Sequence, residues 1–125
     1  MKLKNSMRED QIRKNLIASQ IAIFEDSKFI MLLSFLKNHF LVLESAICLN
    51  HVPDQGEDFF TVLVNGEFIA EVEIDRFDSS VKPIFSIQSK TSYEKKLVSK
   101  KDKIMLLVAN DIWHHQSVNR RASSS

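Results

Sequence analysis

Apolar and polar residues are arranged along the first 50 positions in a pattern that predicts two helices. Between residues 7 and 24 the apolar side chains recur every three or four positions, as on one face of an amphipathic helix. Ser6 and Glu9 have the spacing of a capping box, which would begin this helix. Residues 28–50 are apolar on nearly all sides, which is typical of a helix buried in a soluble protein. Because residues 42–50 also alternate as a strand does, an earlier end of this second helix stays open.

The same apolar stretch is long enough to raise the question of a membrane span, for which about 20 apolar residues are needed. It contains Lys37 and Glu44, and one charge near the centre of a bilayer costs about 2.5–3.5 kcal/mol. The N-terminal residues also lack the apolar segment of a signal peptide. We therefore expect a protein without a membrane span that resides in the cytoplasm.

A β-hairpin between residues 59 and 74 is the clearest element of the sequence. Asn65-Gly66 separates two alternating apolar segments, which is the signature of a two-residue type I′ turn. Such a turn places Val64 opposite Glu67 and Leu63 opposite Phe68. One face of the hairpin then packs on the core and carries Phe59, Thr61, Leu63, Phe68, Ala70 and Val72. The outer face mixes apolar with acidic side chains and carries Phe60, Val62, Val64, Glu67, Ile69, Glu71 and Glu73.

Further elements are predicted after the hairpin. Residues 84–89 alternate as a third strand, with Phe85 and Ile87 on its buried side. The basic stretch that follows predicts one short helical turn around Tyr93. Apolar positions then recur at helical spacing over residues 100–115, which predicts a final amphipathic helix.

Together these elements predict an α+β fold with the order α-α-β-β-β-α. Two N-terminal helices precede a three-stranded antiparallel sheet, and a C-terminal helix follows it, with Ser99 and Asp102 as its capping pair. We expect the helices to pack on one face of the sheet. Residues 1–116 would form a single domain, and residues 117–125 a disordered polar tail.

Composition agrees with one small globular domain and adds a charge pattern. The chain has 125 residues, of which 44% are hydrophobic and 26% charged, so it can bury a core and is unlike a disordered chain. Its one cysteine, Cys48, excludes an intrachain disulfide and fits a reducing compartment. The net charge of +1 hides a strong segregation, because residues 54–80 carry −7 and residues 81–125 carry +6. Charge of this kind bears on association rather than on fold.

The candidate motifs for catalysis, cofactor binding and metal binding are weak. His51, Asp54 and Glu57 follow Cys48 at intervals of three residues, but zinc needs three or four converging ligands, and the paired spacings of zinc motifs are missing. Cys48 lies in an apolar segment, where a reactive thiolate is disfavoured. With two glycines in the chain, a phosphate-binding glycine-rich loop is also missing. The sequence therefore predicts a non-enzymatic protein with no catalytic residues, no cofactor and no metal site.

Two surfaces are candidates for binding. Apolar side chains ringed by acids suit a protein interface, so we expect the outer hairpin face to bind a protein partner or a second copy of the chain. On this hypothesis, Val62→Asp together with Ile69→Lys would leave the monomer folded and disrupt association. The alternative is a nucleic-acid-binding accessory protein that neutralises phosphates with a basic segment, which consists of Lys90, Lys95, Lys96, Lys100, Lys101 and Lys103.

Overall fold

The computed structural model describes residue 3 and residues 6–124 of the chain. As the sequence predicts, the protein is an α+β structure built from helices and an antiparallel sheet. The described part has four helices and four strands, not the three of each that were predicted, because a strand precedes the hairpin and the basic stretch forms a helix of its own. In chain order the elements are α1 (Met7–Glu25), α2 (Ile30–His39), β1 (Ala46–Asp54), β2 (Glu57–Val64), β3 (Phe68–Asp75), β4 (Ile84–Ser89), α3 (Lys90–Lys96) and α4 (Lys100–Ser124).

Both predicted capping pairs are present. The backbone N–H of Glu9 donates to Ser6 Oγ at 3.2 Å and begins α1. The backbone N–H of Asp102 donates to Ser99 Oγ at 3.0 Å at the start of α4. These local signals place the beginnings of two helices correctly, since a capping side chain satisfies an amide that the helix itself leaves unpaired.

The second helix is much shorter than the apolar stretch of residues 28–50. A 3₁₀ turn precedes α2, which ends at His39, and Phe40 already has extended backbone angles. The prediction of a helix through residue 50 is therefore wrong, and the alternative of an early end with a strand is confirmed by β1.

Asn65 fixes the segment between α2 and β1. Its Oδ1 accepts hydrogen bonds from the backbone N–H groups of Glu44 and Ser45 at 2.8 and 3.1 Å. Its Nδ2 donates to the carbonyl oxygen of Val42 at 2.7 Å. Because these bonds satisfy backbone groups that a helix would otherwise pair, they favour an extended chain here.

The four strands form a meander in the order β1-β2-β3-β4, with every neighbouring pair antiparallel. In the central hairpin, Val64 pairs with Phe68 and Leu63 with Ile69. Asn65 and Gly66 have the positive φ angles expected of the turn, but Glu67 is a third residue of the connection. The predicted two-residue connection is therefore wrong by one residue.

The register difference changes which side chains share a face, because successive residues of a strand point to opposite sides. The first face collects apolar side chains from three strands, namely Ala46, Phe60, Val62, Val64, Ala70 and Val72. The opposite face carries a smaller apolar set, namely Ile47, Leu49, Leu63 and Ile69.

Helices cover both faces of the sheet, so the prediction that they share one face is wrong. On the first face, α2 packs through Leu32, Phe35 and Leu36, and the end of α1 contributes Ile23. On the opposite face, α1 and α4 cover the half of the sheet nearest the hairpin turn with Leu16, Leu106, Val108, Ala109 and Ile112. The half of this face that lies away from the hairpin turn is outside this cluster of helix contacts.

Two side chains of the strand predicted over residues 84–89 are more exposed than expected. Phe85 and Ile87 of β4 are 47% and 37% exposed, although both were predicted to be buried. Phe85 contacts the rings of Phe35 and His39 at centroid distances of 5.0 and 4.6 Å. The exposure follows from the position of β4 as the outer strand of the sheet. Phe85 and Ile87 lie on the face that α2 covers, but at its edge, where the covering is incomplete.

The last helix is longer than predicted. α4 continues through residues 117–124, which were expected to form a disordered tail, while residue 125 lies outside the described residues. The side chain of Arg120 lies 3.5 Å from Glu44 and over the ring of Trp113, and these contacts tie the extension to the domain. In the described part of the chain, no helix is long and apolar enough to cross a membrane.

Candidate interaction surface

The apolar residues of the predicted outer hairpin face lie inside the protein. Phe60 is 5% exposed, and Val62, Val64 and Ile69 are fully buried. The first three lie on the face that α2 covers, whereas Ile69 lies on the opposite face beneath α4. The prediction that these four side chains share one outer surface is therefore wrong, and the cause is the extra residue Glu67 in the connection.

The acidic residues of the predicted surface are not buried with the apolar ones. Glu67 lies in the hairpin connection, and Glu71 and Glu73 lie on the uncovered half of the face opposite α2. There, cross-strand pairing places Phe59, Glu73 and Ile84 in one row. A second row consists of Thr61, Glu71 and Ser86, and the pair of Glu57 and Asp75 closes the end. We call this set the acidic sheet face: Glu57, Phe59, Thr61, Glu71, Glu73, Asp75, Ile84 and Ser86.

Two apolar side chains stand among the carboxylates of the acidic sheet face. Phe59 is 38% exposed and Ile84 is 68% exposed. They flank Glu73 on its two sides, and directly opposed residues of neighbouring strands have Cβ atoms about 4.5–5.5 Å apart. The rows border a shallow depression of about 280 Å³. This surface can bury an apolar group and surround it with negative charge.

The carboxylates of this face have no cationic partner in the part of the chain that the structure describes. Among the described residues, no lysine, arginine or histidine forms an ion pair with Glu57, Glu71, Glu73 or Asp75. The pKa of Glu57 is raised above its ordinary value of 4.5, first because its protonated carboxyl can hydrogen-bond to that of Glu73 and escapes repulsion by it. Asp75 and Asp54 add smaller repulsions. The face therefore holds more negative charge than its own surroundings compensate.

A chain of polar contacts marks the boundary with α3. Gln88 Nε2 donates to Glu71 Oε1 at 3.1 Å, and Lys96 Nζ donates to Gln88 Oε1 at 3.0 Å. Tyr93 lies against the covered half of the same face, and burial raises its pKa, with further contributions from Asp102 and Glu71. The acidic sheet face thus ends where the basic segment begins.

Sequence reasoning missed the two apolar members of the acidic sheet face. Phe59 was assigned to the core, and Ile84 was not assigned to any surface. A three-residue connection in the hairpin would have placed Phe59 on the same face as Glu71 and Glu73. The Asn65-Gly66 signature alone does not distinguish the two connection lengths, since the positive φ angles are present in this hairpin as well.

The basic segment is divided between two helices. Lys90, Lys95 and Lys96 belong to α3, and Lys100, Lys101 and Lys103 to the first turn of α4. Because an α-helix has 3.6 residues per turn, neighbouring lysines such as 100 and 101 point in directions about 100° apart. The six lysines are therefore spread around the ends of two helices.

The weak metal candidates do not form a site. His51 Nε2 lies 2.8 Å from Asp58 Oδ1, and its ring stacks on Phe60 with centroids 4.4 Å apart. Asp54 and Glu57 pair across β1 and β2. No group of three or more potential ligands converges within the described ranges of the chain.

Cys48 has the properties of a structural thiol. Burial raises its pKa to about 11, and its Sγ donates to the carbonyl oxygen of Asn50 at 3.2 Å. It lines a cavity of about 300 Å³ between α1 and β1, together with His51 and several apolar side chains. A protonated thiol of this kind is a poor nucleophile and a poor metal ligand.

Comparison with known proteins adds no relative to this description. No protein-family model, curated protein or solved structure matches the chain.

Proposed function

We propose that the protein is a small non-enzymatic interaction protein that binds a basic protein segment through the acidic sheet face. One observation carries the proposal: Phe59 and Ile84 are exposed on a surface whose four carboxylates have no cationic partner among the described residues. A protein interface combines apolar contacts with charged groups that pair with the partner. The raised pKa of Cys48 argues against a thiolate nucleophile at this residue, and a lone reduced thiol supports a cytoplasmic location.

The chemistry of the partner follows from the spacing of the rows. A lysine or arginine covers apolar surface with its aliphatic stem while its charged end reaches an acid. A segment that alternates basic with apolar residues can therefore cover Phe59 and Ile84 and place cations beside Glu71 and Glu73. Such charges mainly increase the association rate and the specificity of the complex.

The experiment measures binding of labelled peptides by fluorescence anisotropy. We use a peptide that alternates lysine with leucine, and two matched peptides in which either lysine is replaced by glutamate or leucine by serine. The lysine–leucine peptide should bind best, and its affinity should fall with added salt, because exposed charges are screened. Equal affinity for all three peptides would contradict the proposal.

Matched variants locate the binding surface. Glu71→Gln with Glu73→Gln should weaken binding of the lysine–leucine peptide about tenfold, or about 1.4 kcal/mol. Glu25→Gln with Glu94→Gln removes the same charge elsewhere and should leave the affinity unchanged. Phe59→Ser and Ile84→Ser should also weaken binding, whereas Ile30→Ser, at a site that is 62% exposed on α2, should not.

The alternative function is nucleic-acid binding by the basic segment. Its support is the clustering of six lysines within 14 residues. If these lysines bind phosphates, a gel shift should be present at low salt and should weaken steeply as salt is added. Changing Lys95, Lys96, Lys100 and Lys101 to glutamate should then abolish it. Absence of a shift by the wild-type protein at low salt would remove this alternative.

A further inference from the structure

The two outer strands of the sheet differ in how their free edges are protected. Several features close the free edge of β1. The backbone N–H of Cys48 donates to Ser19 Oγ of α1 at 3.1 Å. A bulge interrupts β1 between Cys48 and Asn50, and Pro53 has no N–H to offer. Bulges, prolines and covering helices are the usual means by which proteins prevent strand addition. Another strand cannot pair along β1.

The free edge of β4 has none of these protections. Its sequence, from Ile84 to Ser89, contains no charged residue, no proline and no bulge against β3. Within the described part of the chain, β4 pairs with β3 alone. Its apolar side chains are exposed on both sides, with Ile84 at 68%, Phe85 at 47% and Ile87 at 37%. An uncharged apolar edge of this kind is a template for another strand.

We propose that β4 pairs antiparallel with β4 of a second copy, with Ser86 on the two-fold axis. In an antiparallel pair, directly opposed residues point to the same side of the sheet. This register places Phe85 opposite Ile87 of the second copy, and the two-fold axis repeats the pair. Aromatic side chains opposite β-branched ones are among the favourable cross-strand pairs, at about 0.2–1 kcal/mol each. The segment is thus complementary to itself.

Other registers use the apolar residues less well. With the axis at Ile87, Phe85 would lie opposite a serine of the second copy. With the axis at Ile84, Phe85 would lie opposite Pro83 of the second copy, which cannot donate to the ladder. The register centred on Ser86 is the one that pairs both Phe85 side chains with isoleucine.

Two features make a closed dimer the expected product. The acidic side chains of the two copies stay apart, because three strand spacings of about 4.8 Å separate the two β3 strands. This distance between the strands exceeds the screening length of about 8 Å at physiological salt. The closed β1 edges prevent a further copy from adding to either end of the joined sheet. An isologous pair therefore satisfies both β4 edges and ends the assembly. This proposal rests on the sheet edge and not on the partner proposed for the acidic sheet face.

Disulfide trapping tests the register. In Ser86→Cys, the two introduced thiols lie directly opposite each other, and opposed Cα atoms 4.5–5.5 Å apart are within disulfide range. Mild oxidation should convert most of the protein into a covalent dimer that a reducing agent separates. Gln88→Cys is the matched control on the same strand, because its copies lie about 13 Å apart, beyond the reach of a disulfide. The wild-type protein controls for any crosslinking through Cys48, which is half-buried and lies on β1.

Light scattering tests the assembly without any cysteine variant. The wild-type protein should approach twice the 14.4 kDa mass of one chain as its concentration rises. Ser86→Lys places two like charges opposite each other on the axis and should keep the protein at the mass of one chain, whereas Ser79→Lys should not. A single-chain mass up to about 1 mM, or equal crosslinking of the two cysteine variants, would overturn the proposal.

Discussion

The carboxyl groups of Glu57 and Glu73 lie on the same face of the neighbouring strands β2 and β3, at one end of the acidic sheet face. A proton on Glu57 allows hydrogen bonding to Glu73 and removes the repulsion between the two carboxylates, and this raises the pKa of Glu57 above its ordinary value of 4.5. The folded protein therefore keeps this proton to a higher pH than the unfolded chain does. As pH rises through the raised pKa, ionisation introduces a repulsion that the unfolded chain lacks, and stability falls.

Replacement of Glu57 by glutamine should stabilise the protein at neutral pH. The amide can still donate to Glu73, and it carries no charge at any pH. Thermal melts should show a higher Tm for Glu57→Gln than for the wild-type protein at neutral pH, with the difference disappearing below pH 4.5, where Glu57 is protonated in both states. Glu94→Gln, at an exposed position on α3, should give no such gain. A lower Tm of Glu57→Gln at neutral pH would show that the charge on Glu57 stabilises the fold.

Gly66 should tolerate no side chain, because the indole of Trp113 lies against it. A Cβ atom at Gly66 would fall 2.2 Å from the Trp113 ring, and the residue also has a positive φ of 66°. Gly66→Ala should therefore cost about 1–3 kcal/mol in the free energy of unfolding, measured with urea. Gly56→Ala is the matched control, because its φ of 89° is strained in the same way while its neighbour is Phe77, which is exposed and free to move. Equal losses for the two variants would mean that contact with Trp113 contributes nothing.

Val62→Asp together with Ile69→Lys should unfold the protein. Both positions are fully buried, on opposite faces of the central strands, so neither charge can reach the other or the solvent. Circular dichroism should show loss of the cooperative unfolding transition. Thr61→Asp with Glu71→Lys introduces the same residue types at paired positions of the acidic sheet face and should remain folded. A folded Val62 and Ile69 variant would contradict the hairpin register described above.

Sequence patterns correctly predict the parts of the fold that are determined by residues close together in the chain. The capping pairs of α1 and α4 and the presence of the hairpin are of this kind. The strand state of β1 was ambiguous, because the Asn65 side chain that fixes the preceding segment lies about twenty positions further along the chain. Local alternation cannot reveal such a contact.

The candidate surface was only partly predictable for a similar reason. Glu71 and Glu73 were predicted as members, and the acidic sheet face contains both. Phe59 was misassigned to the core, because one extra residue in the hairpin connection exchanges the two faces of one strand relative to the other, and Ile84 was left unassigned. In the structure, the longer connection is accompanied by hydrogen bonds from Asn65 to the segment that precedes β1, and these contacts cannot be read from the turn signature.

Amide chemical-shift mapping with the lysine–leucine peptide tests the central claim most directly. During the titration, the largest shifts should fall on Phe59, Thr61, Glu71, Glu73, Ile84 and Ser86, with smaller shifts on Glu57 and Asp75. The amide signals of the lysines in the basic segment should not shift, because these lysines repel the lysine–leucine peptide. Shifts confined to α1, to α4 or to the basic segment, or no shifts at peptide concentrations near 1 mM, would contradict binding at the acidic sheet face.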